Sequence, residues 1–298
     1  MAKTEFDEFV AKDVNAQKGV SIPVRAGALE RLFVRKVACS NLHPNAEDEF
    51  TFDTVGPSYK IIGEYEQKFR RAMATGQDVF DEPLIVEKLR PQGYLLLNGH
   101  HRWAAAMRVG IKKVPVKIVN QATESDIKKI LENSKHDKRV ALDLDEVIFR
   151  ADDYPYLEKA LGFPRNLKYK QRIRLGTPAL LYYLAKNGFD IWVYAHEYYS
   201  IDDIRGFFKG YSVNVDGIIT GIGKKQTTQT ESVLRMEKLI TNKYEKTYHI
   251  DNNSILVTNA RTKEFEEYEL GGSEEDWAKS AITVLGEIEQ HEKEGKLG

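Results

Sequence analysis

Short apolar and alternating runs divide the first 120 residues into four strand candidates, at 31–37, 84–89, 94–97 and 114–119, all rich in Val, Leu and Ile. Between them, residues 60–74 carry apolar positions at helical spacing. Residues 101–109 predict a short helix whose Trp103, Ala104, Ala106 and Met107 face a core before Gly110 ends it. Residues 120–137 (NQATESDIKKILENSKHD) are polar, with Thr123 and Ser125 as candidate N-caps, and a domain boundary is expected there. This gives domains of 1–135 and 136–298. The second half alternates differently: strand 139–144, helix 178–186 ended by Asn187-Gly188, strand 189–195, helix 200–208, strand 217–219, helix 231–241 and strand 246–250. Strand then helix, repeated, predicts a parallel sheet covered on both faces. From Ser273 onward an acidic tail reads as one amphipathic helix on the outside, and no internal repeat is present.

With 298 residues, 42% hydrophobic and 30% charged, the chain is outside the ranges of disordered, collagenous and membrane-spanning sequences. No run approaches the roughly 20 apolar residues of a membrane span. The start, MAKTEFDEFVAKD, lacks a basic-then-apolar signal, so the expected location is the cytoplasm. The single cysteine, Cys39, excludes a disulfide framework and a thiolate zinc site. Residues 1–135 hold 21 basic and 18 acidic side chains, and the remainder 23 and 27. Neither half carries the basic excess of a nucleic-acid footprint, so nucleic acid is not the favoured partner, although a local basic groove stays open.

The strongest chemical signal lies at VALDLDEVIF (140–149), where an apolar strand delivers Asp143 and Asp145 at its carboxyl end. Strand period two places both on one face. Paired carboxylates at the ligand-binding edge of an α/β sheet call for a positive charge between them, and Mg²⁺ is the economical answer; a solvated strand-end loop is the alternative. Downstream, strand 248–250 releases Asp251-Asn252-Asn253, a second oxygen cluster, and Lys224-Lys225 could neutralise a phosphate.

In this order the residues resemble the haloacid dehalogenase (HAD) superfamily of phosphotransferases. DLDEVIF is similar to its first motif, IWVYAHE stands in the place of the second, Lys224 or Lys225 of the third, and IDNNS of the fourth. The resemblance covers roughly residues 138–260. It implies Asp143 as nucleophile, Asp145 as general acid/base, and Asp143, Asp145, Asp251 and Asn252 around Mg²⁺. The second motif normally ends in Ser or Thr donating to phosphate. Here Ala195 stands there, so that either His196 supplies the donor or the phosphatase is weakened or lost. The basic, aromatic stretch LGFPRNLKYKQRIR (161–174) is either a small cover for this site or a surface loop.

In the first half, GYLLLNGHHRWAAAMRVGIKKVPVKIV (93–119) reads as strand, glycine turn, helix, strand. Asn98-Gly99 turns the chain, the helix opening at His100 presents unpaired N–H groups, and His100, His101 and Arg102 add donors. A nucleotide phosphate is the natural guest; histidines merely packed or solvated at a helix start are the alternative. The segment resembles the ParB/sulfiredoxin-like fold over roughly residues 30–120, GHHRW and VPV being its specific parts. Sulfiredoxin would need a cysteine where His100 stands. ParB partition proteins bind CTP and add a DNA-reading helix-turn-helix, which the second half does not resemble. The free-serine-kinase branch carries a DGHHR-like motif close to NGHHR, and this is the preferred analogy. It implies ATP or ADP as cofactor, with CTP as the ParB alternative. Its general base for a hydroxyl would be Glu47, Asp48 or Glu49, and its phosphate site Asn98, Gly99, His100, His101 and Arg102.

The combined expectation is an α/β chain with a mixed α+β ParB/sulfiredoxin-like domain followed by a HAD-like parallel-sheet domain. It would act in Mg²⁺-dependent phosphoryl transfer on a small phosphorylated metabolite. The competing class is a nucleotide- or nucleic-acid-binding regulator carrying a degenerate HAD scaffold.

Overall fold

The structure, a computed structural model, describes residues 4–223 and 230–295. It divides into two units, one up to Gln121 and one from Ala122. In the first unit the chain runs α1 (Glu5–Gln17), β1 (Ile22–Pro23), α2 (Ala28–Leu32), β2 (Arg35–Ala38), β3 (Leu42–Pro44), α3 (Tyr59–Thr75), β4 (Leu84–Arg90), β5 (Tyr94–Asn98), α4 (His100–Arg108) and β6 (Lys113–Ile118). The sheet order is β2-β6-β4-β5-β3 with β1 beside β4. Pairs β4–β6 and β3–β5 are parallel and the rest antiparallel, so the sheet is mixed, as expected.

Strand candidates 84–89, 94–97 and 114–119 and helices 60–74 and 101–109 all form within a residue or two of their expected limits. Candidate 31–37 is shorter, because residues up to Leu32 belong to α2. Helix α4 is held from both sides. Trp103, Ala104, Ala105 and Ala106 are buried, and the Trp103 indole N–H donates to the Cys39 carbonyl at 3.1 Å. Burying an indole while its N–H keeps a partner adds the apolar gain without a desolvation penalty.

The second unit runs α5 (Glu124–Asn133), β7 (Lys138–Asp143), β8 (Phe149–Arg150), β9 (Arg172–Ile173), α6 (Thr177–Lys186), β10 (Asp190–Ala195), α7 (Ile201–Gly210), β11 (Gly217–Thr220), α8 (Glu231–Lys243), β12 (Lys246–Ile250), β13 (Ser254–Asn259), β14 (Phe265–Glu269) and α9 (Trp277–Gly295). Its main sheet has the order β11-β10-β7-β12-β13-β14. The first four strands are parallel and the last two antiparallel, so the all-parallel expectation holds for the centre and fails at one edge.

Both faces are covered. Trp192 and Ile219 meet Ile127 of α5 and Val233, Met236 and Ile240 of α8, while Val140, Leu142, Ile191 and Val193 meet α6, α7 and α9. The tail helix is therefore not merely external: Trp277, Ala281, Leu285 and Ile288 are buried. Helix α5, capped by Thr123 as its sequence suggests, packs in this unit through Ile127, which moves the boundary from 135/136 back to 121/122. Among the described residues no helix is long and apolar enough to cross a membrane.

Candidate functional site

In the first unit, β5 delivers Asn98 and the chain reverses at Gly99, whose φ of 97° caps α4. Only glycine suits that conformation here, since a Cβ would also come within 2.5 Å of the Leu84 side chain. The first turn of α4 then carries His100, His101 and Arg102.

The Asn45 N–H donates to His100 Nε2 at 3.3 Å and the Ser58 N–H to His101 Nε2 at 3.1 Å, so both rings accept at Nε2 and hold the loop between β3 and α3. Phe50, itself buried, lies 5.4 Å from one ring and 5.1 Å from the other. Burial holds His100 down to about 4 and pushes His101 below the ordinary histidine value, with Asp48 opposing both shifts. Both Nε2 lone pairs are thereby spent on backbone N–H groups.

Arg102 is buried and its guanidinium has three partners. Nη1 reaches the Glu82 carbonyl at 3.1 Å and the Glu82 carboxylate at 2.9 Å, and Nη2 donates to Asn98 Oδ1 at 3.1 Å. Asn98 is thus an orienting acceptor. The Glu82 side chain is 72% exposed, so its pairing is weak and an incoming anion can replace it. Arg102 also lines a cavity of about 360 Å³ with Tyr65, Lys68, Phe69 and Phe80, a volume in the range of small-molecule sites.

Of the acidic trio, Asp48 is the member brought to the histidines. Its Oδ1 accepts the Phe50 N–H at 2.9 Å and its Oδ2 lies 3.5 Å from His100 Nδ1. Glu47 donates its N–H to Asn45 Oδ1, and Glu49 opens the short 3-10 turn Glu49–Thr51.

In the second unit, β7 stands between β10 and β12, and these three parallel strands carry Asp143, Ala195-His196 and Asp251 to the same edge. The strand ends at Asp143, and Leu144–Ile148 forms a π-helical turn. The period-two expectation for Asp143 and Asp145 fails for that reason. Asp143 Oδ1 caps the turn by accepting the Glu146 N–H at 2.7 Å, and burial pushes its carboxyl above the usual range. Asp145 points elsewhere: it accepts the His196 N–H at 2.7 Å, the Glu197 N–H at 3.0 Å and the Tyr199 hydroxyl at 2.8 Å.

Asn252 is likewise committed. Its Oδ1 accepts from Arg150 and, at 2.9 Å, from Arg174, while its Nδ2 donates to the Glu146 carbonyl at 3.2 Å. An oxygen facing two guanidinium groups is a poor place for a metal ion, and an aspartate could not make the third bond. Asp251 accepts its neighbour's N–H at 2.6 Å. Among the described residues, the His, Cys, Asp and Glu side chains whose ligand atoms gather within 4.8 Å are Asp143, Glu146 and His196. The expected Mg²⁺ set of Asp143, Asp145, Asp251 and Asn252 therefore does not fit. Lys224 and Lys225 lie outside the described residues.

The stretch 161–174 does fold back beside this edge. Its end forms β9 against β8, Arg174 stacks 4.5 Å above Trp277, and Tyr169 packs on Phe207. Glu146 was hidden by the strand reading, whereas His196 was already a candidate as a phosphate donor. Asp143 and Glu146 stand three apart, the spacing that a helical turn brings together.

Residues 68–134 match the family model of the ParB N-terminal domain, from within α3 through α5. The chain is similar to the ADP-dependent L-serine kinase SerK of Thermococcus kodakarensis, 27% identical over 89 residues, which are 28% of this chain and 36% of that protein. It is also similar to the ATP-dependent L-serine kinase of Staphylothermus marinus, 42% identical over 50 residues, 16% of this chain and 20% of that protein. The chain thus spans about a third and about a fifth of the curated relatives it matches. A solved structure, the C-terminally truncated chromosome-partitioning protein ParB from Caulobacter crescentus complexed with CTP-γ-S, matches 29% of this chain and 43% of its own, at 19% identity and a TM-score of 0.23.

Proposed function

We propose that the first unit is a nucleotide-dependent kinase module that moves a phosphoryl group between ATP or ADP and a small hydroxyl metabolite. L-serine, named in both kinase relatives, is the first candidate. What supports this reading is that the first turn of α4, opened by a glycine-shaped turn, carries both Arg102, whose guanidinium pairs with Glu82, and His100, whose Nδ1 lies 3.5 Å from the Asp48 carboxylate. The free N–H groups of a first helical turn and a guanidinium suit phosphate oxygens. Asp48 would accept the hydroxyl proton as the oxygen attacks phosphorus, and the nucleotide leaves one phosphate shorter. Neutral His100 and His101 position the loop that carries Asp48.

Calorimetric titration with ATP, ADP and CTP tests the anion site. Arg102→Lys, which keeps the charge and loses the bidentate fork, is expected to weaken nucleotide binding about tenfold. Affinity unchanged by that substitution would remove Arg102 from the site. Retention on duplex DNA that fades with salt would favour the regulatory alternative instead.

For the second unit, the placement of β7, β10 and β12 favours a HAD-like phosphate site with Asp143 as nucleophile, and Ala195, where a Ser or Thr would donate to phosphate, makes it a slow phosphatase. No step is assigned to Mg²⁺. Slow phosphate release from p-nitrophenyl phosphate is expected, and Asp143→Asn should abolish it. Release that survives the substitution rules out an aspartyl-phosphate.

A further inference from the structure

Asp143, Glu146 and His196 join two carboxylates to an imidazole nitrogen, a donor set that differs from the all-oxygen shell Mg²⁺ prefers. We infer that these three side chains form a site for a divalent transition ion of the zinc and manganese class. His196 Nε2 stands 3.6 Å from Asp143 Oδ2 and 3.8 Å from Glu146 Oε1. Ligand atoms bound at about 2.0–2.2 Å around one ion are roughly 3–3.5 Å apart, so small side-chain rotations complete the set. Glu146, 63% exposed, has room to make them.

A second observation, outside the cluster, points the same way. His196 Nδ1 lies 3.0 Å from the Ile222 carbonyl oxygen, which can only accept, so the proton is on Nδ1. With Nδ1 so occupied, Nε2 is the ring nitrogen left to face the two carboxylate oxygens, an arrangement that a metal ion between them can join. Donation of the other ring N–H to a carbonyl is also what orients metal-bound histidines. Asp143 contributes the oxygen left over from capping, since Oδ1 is held by the Glu146 N–H. This site needs neither Asp145 nor Asn252, and it does not rest on the phosphatase reading.

The test titrates the untagged full chain with ZnCl₂, MnCl₂ and MgCl₂ by calorimetry, with Co²⁺ absorption reporting the ligand set. A single equivalent of Zn²⁺ should bind at least about tenfold more tightly than Mg²⁺. His196→Gln and Glu146→Gln should each weaken Zn²⁺ by about tenfold or more while circular dichroism stays unchanged. Should His196→Gln lose its fold, Glu146→Gln, on an exposed side chain, carries the same comparison. Zn²⁺ bound no better than Mg²⁺, Zn²⁺ affinity indifferent to Glu146→Gln, or a Co²⁺ thiolate band from Cys39 would each overturn the inference. Phosphate release from p-nitrophenyl phosphate, measured separately, reports on the phosphatase reading alone.

Discussion

His100 shows how a polar side chain at a candidate site can serve the fold. Its ring is 5% exposed, accepts the Asn45 N–H, and is held down to about 4 by burial. Between the ordinary value of 6.5 and that value, the unfolded chain takes up a proton that the folded chain refuses. Stability contributed by the neutral ring is therefore complete above pH 6.5 and is lost as the pH falls towards 4, by about 1.4 kcal/mol per pH unit. His100→Gln keeps an acceptor that does not titrate, so urea unfolding at pH 7, 6 and 5 should show a shallower fall for the variant. Equal slopes would mean that His100 is charged in the native state. The sequence pointed to NGHHR as a unit, and Gly99, Asn98 and Arg102 do meet there. It could not show that the histidine nitrogens face inward, because which lone pair is occupied depends on a loop some 50 residues away. Asp48 was one of three equivalent acids until the 3-10 turn singled it out.

At the scale of elements, the strong periodic segments were legible and the weak ones were not. Strands β4, β5, β6, β7, β10 and β12 follow from runs of branched apolar side chains. Helix α1, with mixed polar positions and one buried residue, and the exposed strand β14 give little such signal. The strand ending at Asp143 matters most, since one residue of overextension exchanged Glu146 for Asp145 as the neighbour of Asp143. Close packing between elements also depends on single positions. Gly217 of β11 lies flat against the Trp192 ring, which is fully buried and donates to the Tyr244 hydroxyl at 3.1 Å. A methyl there overlaps the indole, so Gly217→Ala should cost about 1–3 kcal/mol in denaturant unfolding. Gly271, with open space around its Cα, serves as control and should stay near wild type as Gly271→Ala. Equal effects of the two would contradict the packing described for β10 and β11.

At the scale of the whole molecule, two units each gather polar and charged side chains at one place, but by different means. The first uses a helix opening, a guanidinium and one carboxylate; the second uses the edge of a parallel sheet. Their separate cores were legible from the change in strand-helix rhythm, whereas the boundary was not, because α5 has a polar sequence and declares its side through Ile127. Kinase activity in the first unit is the central claim. It is tested most directly by incubating the full chain with ATP or ADP and L-serine and following phosphoserine by ³¹P NMR. Product is expected with one of the two nucleotides, with a loss of about 100-fold or more in Asp48→Asn. Absence of phosphoserine with both nucleotides, or an undiminished rate in Asp48→Asn, would contradict it.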